Sequence, residues 1–117
     1  MTVPGARAKS AQSPADLLEH EFAQERASAL GRLGRALEAA LAGLAELDAA
    51  DPGGAAHERH VRSALVAEAG MALWHFVVQR EACGLRDMRY VLRDYRVPPE
   101  VAARMGVMPP TPARTRR

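Results

Sequence analysis

A chain of 117 residues with 48% apolar but only 4% aromatic residues has room for one domain. Its core must be built from Leu, Val, Met and Ala, which suits close helix packing better than a sheet of β-branched and aromatic side chains. The single cysteine excludes an intramolecular disulfide, and no stretch reads as a secretory signal or membrane anchor, so a cytoplasmic protein without a membrane partner is expected.

The net charge of +2 and the pI of about 9.2 invite a nucleic-acid reading, but five cations, Arg7, Lys9, Arg114, Arg116 and Arg117, lie in the two tails. Residues 10–113 alone carry −3, so nucleic-acid affinity is expected to be weak and confined to the tails. The excess of Arg over the single Lys, beside abundant Ala, is explained more simply by coding bias than by phosphate binding. Residues 13–58 hold nine acids and three arginines, whereas residues 59–106 hold eight arginines and five acids. Opposite signs on successive segments favour packing one against the other.

Residues 1–12 lack apolar periodicity and read as a disordered tail. Ser13-Pro14-Ala15-Asp16 then combines a capping hydroxyl, a proline at the first helical position and a carboxylate near the positive end of the dipole. The spacing of Leu18, Phe22, Leu30, Leu33, Leu37, Leu41, Leu44 and Leu47 predicts a first helix over 14–49. Asp51-Pro52-Gly53-Gly54 breaks it with residues suited to a tight reversal. A second helix follows over 55–83, ending at Gly84 with Leu85 placed for the accompanying apolar contact. With the reversal at 51–52, Gly34 falls opposite Ala69 and Gly70, the pattern of a close helix crossing. Arg80 then falls opposite residue 23, within reach of Glu19, Glu21 or Glu25.

Residues 86–95 form a third helix by pattern, Val97-Pro98-Pro99 interrupts it, and 99–105 add one or two turns closed by Gly106. Beyond 107 the Pro- and Arg-rich stretch reads as a second disordered tail, leaving 13–107 as the single helical domain.

The run Met71, Ala72, Leu73, Trp74, Phe76, Val77, Val78 places apolar groups on every side of the second helix, more than one neighbouring helix can cover. Leu73 and Phe76 are assigned to the first helix; Trp74, Val77 and Val78 are assigned to an interface between two copies. Gln79, Arg80, Glu81, Cys83, Arg86 and Asp87 follow as a polar cluster read as structural contacts at the pivot of the fold. Cys83 sits at the end of the second helix, and His75 is eight residues, about 12 Å, away, too far to serve as its base. His57 and His60 share a helix face at i, i+3, but with Glu68 two turns away they lack a complete metal shell. His20 beside Asp16 reads as a surface pair. Residues 85–106 have the outline of a helix-turn-helix, yet the second helix offers one basic side chain, Arg104, and no Asn or Gln to read a base edge.

The stretches FVVQREACGLRD and VLRDYRVPPEVAARMG resemble a family of short, uncharacterised helical bacterial proteins, a domain of unknown function. The resemblance covers about residues 16–107, with 74–106 its most specific part. It implies a stand-alone helical domain and brings no activity, cofactor or site residue. The reading as a whole is an all-α protein: a long antiparallel helical hairpin with two short C-terminal helices, forming a dimeric helical bundle. No catalytic residue, metal or cofactor is assigned, and the expected role is interaction or scaffolding as a homodimer, with an unidentified protein partner as a further expectation. The alternatives are a nucleic-acid-associated protein and, third, a thiol- or metal-dependent enzyme.

Overall fold

The computed structural model describes residues 13–50 and 56–107, with side chains from Arg59 onward in the second segment. The two expected tails, the reversal at Asp51–Gly54 and the side chains of His57 and Glu58 lie outside the described residues. Within them the chain is entirely helical, with no strand: α1 (Pro14–Ala50), α2 (Ala56–Ala82), α3 (Met88–Asp94) and α4 (Pro99–Ala103).

Local chemistry sets the boundaries. At the start of α1 the Asp16 N–H donates to Ser13 Oγ at 3.1 Å, and the Ser13 N–H donates back to Asp16 Oδ2 at 3.4 Å. This reciprocal pair satisfies two donors at the helix start, with Asp in the place usually taken by Glu. At the end of α2 the Gly84 N–H donates to the Glu81 carbonyl at 3.0 Å and the Leu85 N–H to the Arg80 carbonyl at 2.8 Å. Gly84 has a φ of 86°, which a glycine adopts without a Cβ penalty, so the helix stops in a Schellman motif. Pro98 and Pro99 start α4 with φ already fixed, and α4 stops short of the expected residue 105 in a turn over 104–106.

Leu37 and Leu44 of α1, Val66, Ala69, Leu73 and Phe76 of α2, Val91 of α3 and Val101 of α4 form one buried cluster. The expected contact of Leu73 and Phe76 with the core is therefore present. Arg62 of α2 bonds Asp48 near the end of α1, while Gln79 near the end of α2 donates to the Arg26 carbonyl of α1 at 3.4 Å. Early α2 therefore lies beside late α1, and late α2 beside the middle of α1.

The register differs from expectation. Residues 48 and 62 meet, as do 34 and 76, pairs that centre on residue 55, while Gln79 reaches residue 26, a pair that centres between 52 and 53, so the contacts lie past the expected 51–52 by differing amounts. A Cβ on Gly34 would stand 3.2 Å from the Phe76 ring and 3.1 Å from the Tyr95 hydroxyl, so this glycine admits aromatic groups rather than Gly70. Gly70 serves α4 instead: a Cβ there would stand 2.8 Å from the Arg104 carbonyl oxygen.

Gln79, near the end of α2, reaches residue 26, so the turns of α1 before it run on past the end of α2. Every residue from 13 to 28 is exposed, including Leu17 (51%), Leu18 (51%) and Phe22 (54%). The segment Arg59–Ala82 is long and apolar enough to cross a membrane by length and composition, a test that the central helix of a water-soluble bundle also passes.

Candidate interaction surface

The outer face of α2 is where the apolar excess of the sequence emerges. Trp74 and Val78, one turn apart, remain 40% and 44% exposed, whereas Val77 turns inward and packs against the core. The indole is held at its base: a Cβ on Gly106 would stand 2.9 Å from Trp74 Cδ1, and the His75 ring lies at a centroid distance of 5.4 Å. Gly106, with a φ of 76°, therefore supplies both the turn after α4 and the space for the ring. Leu85, just past the helix end, is also exposed. Of the three residues expected at an interface, Trp74 and Val78 are open to a partner and Val77 is half-withdrawn.

The polar cluster does not close into one network. Gln79 reaches the Arg26 carbonyl of α1. The guanidinium of Arg80 lies 5.9 Å from the centroids of both Phe76 and Tyr90, and that of Arg93 lies 5.7 Å from Tyr90. Arg80 is thus held by aromatic faces, and it makes no ion pair with Glu19, Glu21 or Glu25 among the described residues. Glu81, Arg86 and Asp87 face solvent, and Asp87 approaches Arg89 at 4.0 Å. Cys83 is half-buried at the end of α2.

The strongest polar contact lies elsewhere, at a position the sequence reading passed over. Arg62 pairs through Nε with Asp48 Oδ1 at 2.7 Å and through Nη1 with Glu100 Oε1 at 2.9 Å; Nη2 reaches the second oxygen of each carboxylate. One guanidinium fork thereby ties α1, α2 and α4 together. The hydrogen bonds from Arg62 hold the carboxyls of Asp48 and Glu100 below their ordinary range, and Glu100 and Asp48 raise Arg62 in return. No sequence signal marks this triad, since its members are 14 and 38 residues apart.

Beside the triad, an open groove of about 410 Å³ runs between α2 and α4 over Val66 and Ala103, with Arg59, Arg104 and Ser63 at its edge. Its one acid, Glu100, is already committed to Arg62. A second groove of about 370 Å³ lies between α1 and α3 at Glu38, Leu41, Asp94 and Tyr95. Burial, and then the charge of Glu38, raise the pKa of the Tyr95 phenol. Among the described residues no three His, Cys, Asp or Glu side chains gather as a metal site would require.

No curated protein matches the chain, and no solved structure does. A family model does match, over residues 6–113, nearly the whole sequence. The all-helical chain thus belongs to a family of unknown function, DUF6665.

Proposed function

We propose that this chain is a non-catalytic interaction protein that works as a cytoplasmic homodimer, its unit a long helical hairpin braced by two short helices and joined to a second copy through the outer face of α2. The observation that carries this reading is the exposed Trp74–Val78 pair, two large apolar side chains one turn apart on a helix whose opposite side is the core. Leaving such groups in water forgoes about 1.5–3 kcal/mol of burial each, which a second copy recovers. Trp74 is the only tryptophan, so its fluorescence reports on this face alone. The emission maximum is expected to move to shorter wavelength as concentration rises through the association range. An emission that stays constant from nanomolar to high micromolar, with the mass of a single chain throughout, would remove the proposal.

A nucleic-acid-associated role is favoured by one observation, the exposed arginines 86, 89, 93 and 96 around α3. Duplex binding that survives at physiological salt in the absence of the two basic tails would support it.

A further inference from the structure

We infer that the surface seated on the Trp74–Val78 face of one copy is the projecting arm of α1 from the other, so that two copies exchange arms. The inference rests on the homodimer proposed above and specifies what makes the contact.

Three features of the molecule match. The first is spacing. Leu18 and Phe22 lie at i, i+4 on the arm and are 51% and 54% exposed, while Trp74 and Val78 lie at i, i+4 on α2 and are 40% and 44% exposed. Rows of side chains with the same i, i+4 repeat interlock when two helices pack.

The second is register. Within one chain α2 runs antiparallel to α1, so a two-fold axis perpendicular to them sets the arm of one copy parallel to α2 of the other. If Leu18 of one copy stands beside Trp74 of the other, Phe22 stands beside Val78, because both arm and face advance by four residues in the same direction. A two-fold axis then makes the reverse contact at the same time, so each copy gives one arm and receives one. The arm is long enough: the 12 helical residues before Arg26 span about 18 Å.

The third is charge. Between Asp16 and Arg26 the arm carries four carboxylates against one arginine; Gln79 to Arg96, at the receiving end, carries five arginines against three carboxylates. Of those arginines, 86, 89, 93 and 96 are exposed. The acids of the arm have no arginine of their own copy beside them in any ion pair among the described residues. Arms pairing only with each other would instead bring eight carboxylates together.

Two single-cysteine versions of the full chain test the exchange. Both carry Cys83→Ser; one adds Ala15→Cys at the tip of the arm, the other Met71→Cys, one turn before Trp74. After mixing and subunit exchange, a short bismaleimide is expected to give a covalent species of twice the chain mass in the mixture, at a yield at least several-fold above either version alone. The chain with Cys83→Ser alone, followed by light scattering, reports dimerisation independently. A dimer that cross-links 71 to 71, or 15 to 15, in preference to 15 to 71 overturns the exchange while leaving the homodimer in place. A chain that is monomeric by light scattering overturns both.

Discussion

At the residue scale, two glycines of the long helices make opposite predictions. A Cβ at Gly70 meets the Arg104 backbone at 2.8 Å, and backbone cannot swing aside as a side-chain tip can. Gly70→Ala should therefore destabilise the fold by about 1–3 kcal/mol, the usual cost of overpacking. Gly43 in α1 has nothing within 4 Å of a Cβ, so Gly43→Ala should gain about 0.5–1 kcal/mol from helix propensity. Urea denaturation of the two variants checks both signs. The Arg62 triad sets a pH dependence. Asp48 and Glu100 have lowered pKa values in the folded chain, so their contribution is present above their unfolded values near 4 and lost as pH falls through the folded ones. The melting temperature should decline on acidification below about pH 4, and Arg62→Met should flatten that decline. An unchanged acid limb in Arg62→Met would remove the triad from the account. All three side chains are a third or more exposed, so the effect is expected to be modest.

At the element scale, much of the architecture was legible because helix ends are written in local chemistry. Ser13-Pro14, Gly84, Pro98-Pro99 and Gly106 each mark a boundary by capping or φ, and each stands within a few residues of where α1, α2 and α4 begin or stop. What meets what across the helices was not legible. Asp48 and Gly34 meet Arg62 and Phe76, about two turns of helix from the partners expected for them, while Gln79 reaches Arg26, within a turn of its expected position. Arg62 gave no signal because nothing local distinguishes it from the other arginines. Val77 packs against the core while its neighbour Val78 is open, because 100° per residue separates their faces. The projecting arm carries its own prediction. An exposed helix of about 12 residues ahead of the Gln79 contact is marginal in water by itself, so its order depends on what it docks against. Amide exchange over residues 18–28 should be slow at high protein concentration and fast on dilution, while the amides of Leu37 and Leu73 stay protected in both. Equal, concentration-independent protection of the arm would mean that it needs no second copy.

At the scale of the whole molecule, the core is small for the length of helix it supports. Eight apolar residues are buried, from Leu37 to Val101, while nine large apolar side chains among the described residues stay open to solvent. Small domains with cores of this size commonly gain stability by oligomerisation. The open groups are not scattered evenly: Leu17, Leu18 and Phe22 lie on the arm, Trp74 and Val78 on the outer side of α2. Charge divides along the same line, the arm acidic and the far end of α2 with α3 basic. A pair of copies related by a two-fold axis would cover both apolar sets and bring the opposite charges together, and it would do so at a single interface formed twice. The central claim is therefore self-association through α2, and light scattering coupled to size exclusion of the full chain at micromolar concentration tests it most directly. The account predicts twice the 12.6 kDa chain mass, falling to one chain mass in Trp74→Glu with helical circular dichroism retained. A wild-type chain that elutes at 12.6 kDa, or a Trp74→Glu variant that remains dimeric, would contradict it.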